Sequence, residues 1–258
     1  MTGTRTAGYR SGTKTIKHRI ARYWNGRAAS FQAQREAELC GRPHQLWAED
    51  LISHLGGRRG LRILDVGCGC GFFSFLLAED GHDVTGIDLS ENMIARGREL
   101  ARKYGTDVTL CQMDAENPAF ADGTFDVIVS RNLTWTLPHP ARAYAQWMRV
   151  LKPGGLLLNY DAEHAKYHLS HGLEGERAHA MLSQGQREEC MDLYGLLPLS
   201  GWARPEWDVA CLEQLGCAHV TVARVPENRQ PDNAAPYPIF RIKAFKPSAD
   251  TGRLRHAE

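Results

Sequence analysis

No apolar run in the 258-residue chain approaches the roughly 20 residues that a membrane-spanning helix needs. The first residues likewise lack the hydrophobic core of a secretory signal. An excess of one charge is missing too. The 31 Lys and Arg stand against 30 Asp and Glu, so bulk electrostatics favours no nucleic-acid partner and no membrane surface. Seven cysteines (Cys40, Cys68, Cys70, Cys111, Cys190, Cys211 and Cys217) make an odd number. Several lie inside apolar element patterns, which suits reduced thiols and a cytoplasmic location. Paired cysteine motifs are absent: Cys68 and Cys70 form a C-x-C without a second ligand pair, poor spacing for zinc. His164, His168 and His171 stand at helical spacing but without a carboxylate or cysteine in pattern. No metal site is expected.

One local absence is informative. Between Met1 and Arg27 there is no Asp or Glu, while Arg5, Arg10, Lys14, Lys17, Arg19, Arg22 and Arg27 are basic. Residues 1–12 are small and polar and are expected to form a disordered tail. From Thr13 to about Leu39 the apolar spacing is helical, through Ile16, Ile20, Tyr23, Trp24, Ala28 and Phe31.

What is present centres on Leu61–Ser74. A β-branched-rich run (Leu61, Ile63, Leu64, Val66) stops at Gly67, Gly69 and Gly71, and an apolar segment begins at once with Phe72. The pattern predicts a buried strand, a tight turn and a helix start, whose free backbone N–H groups face a crevice. Two residues past a second short strand stands Ser90, a helix N-cap candidate. Asp88 ends that strand, where a carboxylate can accept hydrogen bonds from both hydroxyls of a ribose. Val108–Cys111 predicts a third strand, followed by Asp114-Ala115-Glu116. Thr124–Ser130 predicts a fourth, whose carboxyl end (Arg131, Asn132, Leu133, Trp135, His139) should line the cleft. Lys152-Pro153-Gly154-Gly155 reads as a turn into a fifth strand, Leu156–Tyr160.

The set Asp65-x-Gly67-x-Gly69-x-Gly71, Asp88, Asp114 and Leu151-Lys152-Pro153-Gly154-Gly155-x-Leu157 resembles the class I S-adenosylmethionine (SAM) dependent methyltransferases of the small-molecule type. It covers Leu61 to Asp161. The resemblance implies a Rossmann-like α/β fold: seven mostly parallel strands, the last antiparallel, with helices on both faces. It implies SAM as cofactor, held by Asp65, Gly67, Cys68, Gly69 and Gly71, by Asp88 at the ribose, and by Leu89 and Met93. Asp114, Ala115 and Glu116 would meet the adenine, and Arg131, Asn132 and Leu133 would line the cleft. The arm Tyr23-Trp24-Asn25-x-Arg27-Ala28-x-Ser30-Phe31 resembles the aromatic lid of such enzymes, with Tyr23 on the cofactor and Trp24 toward substrate. The expected division is a lid at 13–55, a core at 56–163 and 204–247, a substrate cap at 164–203 and a flexible tail at 248–258.

Transfer of a methyl group to O, N or S of a small metabolite is the expected reaction. His164, His139 and Asp161 are candidate bases. Trp135, Tyr160, Tyr167 and His168 are candidate substrate contacts, although aromatics at such positions are equally often core. The fourth strand is not followed by the Asn/Asp-Pro-Pro-Tyr/Phe of amide and base N-methylation, nor by the Pro-Cys of cytosine methylation. An RNA acceptor held by the basic arm, and SAM binding without turnover, are the alternatives. A monomer or homodimer is expected.

Overall fold

The structure of the protein, a computed structural model, describes residues 4–173, 182–225 and 237–248. The predicted tails beyond these bounds, the proline-containing loop at 226–236 and the His179–Met181 part of the cap lie outside the described residues.

Seven strands form one sheet in the order β3-β2-β1-β4-β5-β7-β6. They are β1 (Arg62–Val66), β2 (Asp83–Asp88), β3 (Thr109–Gln112), β4 (Phe125–Arg131), β5 (Leu151–Asp161), β6 (Ala218–Arg224) and β7 (Phe240–Phe245). β1 to β5 pair in parallel, and β7 runs antiparallel to both β5 and β6. The expected Rossmann-like sheet is the observed one.

Strands buried on both faces need a helical layer on each side. Ile63, Val127, Val129, Leu156 and Leu158 pack under α2 (Arg42–Ser53) and α3 (Phe72–Glu79). Leu64, Ile128, Leu157 and Ile242, one residue out of phase, pack under α5 (Pro140–Val150) and α8 (Glu206–Gln214). Each strand thus sends alternate side chains to opposite layers. α4 (Glu91–Tyr104) flanks the β2–β3 edge, with Ser90 as the N-cap accepting from Met93 N–H at 3.1 Å. That is the cap the sequence predicts.

Two boundaries differ from expectation. β5 begins at Leu151 rather than Leu156, because Leu151 already pairs with Phe125 and an irregularity absorbs the Pro153-Gly154 residues. The first helix, α1, runs from Thr4 to Leu39, so the backbone expected to be a loose tail is helical from Thr4. No proline interrupts that stretch, and an established helix extends at little cost per residue.

α1 lies over the carboxyl ends of the central strands. Ile20 and Tyr23 share an apolar cluster with Trp135, Ala165, Leu193 and Tyr194. These come from the 3-10 turn after β4 (Thr134–Thr136), α6 (His164–His171) and α7 (Gln184–Leu196). The arm and the insertion therefore make one roof over the sheet.

Candidate functional site

Under that roof is a cavity of about 620 Å3, in the range of small-molecule sites. Its floor is the strand–turn–helix unit. Gly67 and Cys68 donate their N–H groups to Ile87 O at 2.8 and 3.0 Å, which stitches the turn to β2. Gly69 adopts φ +54° and a Cβ built there would meet nothing within 4 Å, so the turn presents bare backbone to the cavity. Gly69→Ala is expected to cost about 1–2 kcal/mol of stability through the left-handed backbone. Its larger effect should be a tenfold or greater loss of nucleoside affinity, read by calorimetry beside a melting curve.

Three carboxylates stand along the β1–β3 side. Asp88 is the central one. Its Oδ2 accepts from Gly69 N–H at 2.9 Å and its Oδ1 from Ser90 N–H at 2.8 Å. Burial raises its pKa against the pull of those backbone donors. A carboxylate has about four lone-pair positions, more than these two donors and the neighbouring Leu89 N–H occupy. Asp65, at 2 % exposure, accepts from Ser74 Oγ at 2.7 Å. Burial, only partly offset by that bond, pushes its pKa up to about 7. Asp114 accepts from Glu116 N–H at 2.9 Å, and Lys17 Nζ of α1 lies 2.6 Å from both Asp114 Oδ2 and Glu116 Oε2. Lys17 thereby pins the first helix across this end.

A second side is cationic. Arg35 Nη1 meets Glu38 at 2.8 Å, and Arg131 Nη1 meets it at 3.1 Å. The Arg131 guanidinium also lies 4.7 Å from the Trp47 ring centroid and 5.2 Å from that of Phe72. Burial lowers the Arg35 pKa to about 10, an unusual cost for an arginine. Arg35 Nε and Glu38 Oε1 are buried with no hydrogen-bond partner, polar capacity that a ligand could complete.

The third side is aromatic, with Trp135, His164, Tyr194 and Tyr237. His164 Nδ1 lies 2.6 Å from the Tyr237 hydroxyl, and its Nε2 lies 3.2 Å from Asn132 Oδ1. Asn132 follows β4 at φ +55°, a backbone conformation that non-glycine residues adopt sparingly and often at functional sites.

The structure brings most of the expected cofactor residues to this cavity. Tyr23, Asp65, Gly67, Cys68 and Gly69 line it, as do Asp88, Leu89, Met93, Asp114 and Ala115, and Arg131, Asn132 and Leu133 close its edge. Trp24, Trp135 and His164 also face it.

Seven expected residues do not line it. Gly71 caps α3 in the left-handed region, and Glu116 sits behind, accepting from His139 N–H at 2.7 Å. His139 is the half-buried residue before α5 and is not part of the cavity lining. Asp161 is no free base. It is fully buried and accepts from Thr134 Oγ1, from Arg204 at 3.0 Å and from Ala162 N–H at 2.9 Å. Tyr160 is core: it packs edge-on to Trp47 and Phe73 and donates its hydroxyl to Asp50 at 2.6 Å. His168 stacks on Tyr194 and bonds Gly172 O at 2.8 Å, and Tyr167 stacks on His171. Tyr160, Tyr167 and His168, expected as substrate contacts, therefore stand behind the cavity lining rather than in it.

Arg27 and Phe31 of the expected arm line the cavity, and Arg35, four residues further along the same face of α1, joins them without having been expected. Tyr194 and Tyr237 carry no local signal. Among the described residues no group of three or more His, Cys, Asp or Glu could hold a metal, and no helix is long and apolar enough to cross a membrane.

Comparison with known proteins places a methyltransferase domain family on residues 64–159. The ubiquinone/menaquinone biosynthesis C-methyltransferase UbiE of Azotobacter vinelandii is 35% identical over 158 residues, 58% of this chain and 62% of that protein. The ubiquinone biosynthesis O-methyltransferase of Methylococcus capsulatus is 40% identical over 99 residues, 37% of this chain and 41% of that protein. The chain thus spans less than two thirds of the length of either relative. Among solved structures, phosphoethanolamine N-methyltransferase 2 of Haemonchus contortus in complex with S-adenosyl-L-methionine superposes with a TM-score of 0.56 at 21% identity. That match covers 78% of this chain and 52% of the other, and shows the shared fold.

Proposed function

We propose that the chain is a class I SAM-dependent methyltransferase, and from that premise that it transfers the methyl group of SAM to a small organic acceptor held under the α1 roof. The observation that carries the reading is Asp88, a buried carboxylate with spare lone pairs beside a bare glycine turn, opening into a cavity with an aromatic far wall.

The residues fit the cofactor. Asp88 would take the ribose hydroxyls, and Asp114 the adenine amino group. Arg35 and Arg131 would take the carboxylate of the amino-acid end, with Asp65 and Glu38 toward its ammonium. Bound there, SAM supplies a methyl carbon already activated by a sulfonium, so the protein need not create an electrophile. Its own tasks are alignment, which can contribute several kcal/mol, exclusion of water by the α1 roof, and removal of the acceptor's proton. His164 is the candidate for the last task.

The acceptor atom expected from the sequence was O, N or S. The similarity to a C-methyltransferase and an O-methyltransferase of quinone biosynthesis adds carbon to that set and favours a phenol or enol, which can react at either atom. The basic arm, read as a possible RNA contact, spends Lys17 on Asp114 and Glu116 and Arg19 on Glu189 at 2.7 Å, which favours the lid reading. A cytoplasmic location and a monomer or homodimer complete the proposal.

The test is direct: calorimetric titration with SAM and S-adenosylhomocysteine (SAH), then methyl transfer to a panel of phenols. Absence of binding by both nucleosides would end the reading.

Asp65 adds a pH dependence. A carboxyl with a pKa near 7 is about one tenth ionised one unit below that value and about nine tenths one unit above. An ammonium beside it favours the ionised form, so SAH affinity should rise with pH, about tenfold between pH 6 and pH 8. Asp65→Asn should flatten the curve.

A further inference from the structure

The polar atoms of the aromatic wall form a chain of hydrogen bonds from Asn132 through His164 to Tyr237. Asn132 Oδ1, an amide oxygen, can only accept, so His164 Nε2, 3.2 Å away, carries the ring proton. Nδ1 of the neutral ring is then a lone pair, and it receives the Tyr237 hydroxyl at 2.6 Å. The tautomer is fixed by a residue whose left-handed backbone is itself anchored, Asn132 N–H donating to Tyr160 O at 2.8 Å. Three segments far apart in the chain converge here: the end of β4, the first turn of α6 and the approach to β7. Asn132, His164 and Tyr237 all line the cavity.

We propose that Tyr237, backed by His164, takes the proton of a weakly acidic acceptor hydroxyl, so that the substrate is a phenol or enol activated by this pair. This rests on the cofactor reading above. The acceptor O–H gives its proton to the Tyr237 oxygen as the Tyr237 proton passes to His164 Nδ1. The products are an imidazolium and an acceptor oxyanion. The oxyanion's electron pair, at oxygen or at the conjugated carbon, forms the new bond to the methyl carbon, and the C–S bonding pair stays on sulfur as a thioether. The imidazolium returns its proton to solvent after product leaves.

The surrounding charges suit an imidazolium. Asp161 Oδ1 lies 4.0 Å from His164 Nε2, although Arg204 claims the other oxygen at 3.0 Å. Trp135 covers the imidazole with ring centroids 5.4 Å apart. Tyr237 is bordered by the rings of Tyr167 and His168, at 5.0 and 5.8 Å between centroids. Tyr194, on the same wall and beside Cys190 and Tyr23, is held neutral by burial, which pushes its hydroxyl well up.

The probe is 4-nitrophenol, whose phenolate has its own visible band. It is titrated into protein saturated with SAH, in buffer about one pH unit below the probe's own pKa, where about a tenth is ionised in solution. The expected result is a bound probe more than half ionised, a rise of at least fivefold. Tyr237→Phe and His164→Gln should each return the bound probe to the neutral spectrum while SAH affinity stays within about threefold. A bound probe that stays neutral in the unaltered protein, no binding of the probe at all, or a phenolate band that survives both substitutions would overturn the proposal with the cofactor reading intact. Failure of SAH to bind would instead remove the reading beneath it.

Discussion

Asp88→Ala is expected to weaken SAM and SAH binding by at least a hundredfold. On the proposed reading two charge-assisted hydrogen bonds to ribose hydroxyls would be lost, each worth about 1.5–3 kcal/mol, so a loss of roughly 3–6 kcal/mol follows, where 1.4 kcal/mol is tenfold in affinity. The structure adds a second contribution. Asp88 also holds Gly69 N–H and Ser90 N–H, so alanine frees the glycine turn as well as the sugar. Asp88→Asn separates the two effects: an amide can still accept one of those N–H bonds but lacks the charge. Calorimetry should rank wild type, Asn and Ala in that order, with melting temperatures closer together than affinities. Near-normal affinity in the alanine variant would remove the ribose assignment.

The second large effect is on folding. Arg204, 1 % exposed in its side chain, is clamped between Asp161 at 3.0 Å and Asp208 at 2.8 Å, both fully buried. Burial alone would lower its pKa, yet the two carboxylates outweigh this and raise it. The same cluster takes in Thr134, Asn159 and Tyr144, whose hydroxyl donates to Asp208 at 2.7 Å. Arg204→Met would strand two buried negative charges, and breaking such a pair costs about 3–5 kcal/mol. For a domain of this size that is a fall in melting temperature of roughly 6–20 °C. Adding Asp161→Asn and Asp208→Asn should recover much of the loss, because the stranded charge rather than the missing contact is the larger penalty. A single-variant melting temperature unchanged within about 2 °C would contradict this account.

The parts of this molecule that were legible in the sequence are those fixed by near neighbours. The glycine turn, the Ser90 cap and the acidic ends at Asp88 and Asp114 declare themselves within a few residues, because backbone geometry at a strand end depends on local side-chain chemistry. The seven-stranded, mostly parallel sheet with its antiparallel last strand followed from the resemblance those signals carry, and its strand order did not. What was not legible depends on partners brought in from a distance. Tyr160 looked like an acceptor contact because it ends a strand at the ligand edge. Its fate was decided by Asp50, 110 positions earlier in the chain. Asp161 has the position of a base, but Arg204, 43 positions later in the chain, occupies it. Tyr237, for its part, follows a stretch with no periodic pattern, and only the fold sets its hydroxyl against His164.

The double grip of Lys17 has a kinetic corollary. With its ammonium spanning Asp114 and Glu116, the first helix is fastened to the rim where a purine edge would be read, so on the proposed reading passage of nucleoside in or out would require that fastening to part. Two ion pairs at a partly wetted rim loosen as dissolved electrolyte rises. Added potassium chloride should therefore speed the escape of demethylated product more than it alters the bond-making step, making dwell time the quantity this helix controls.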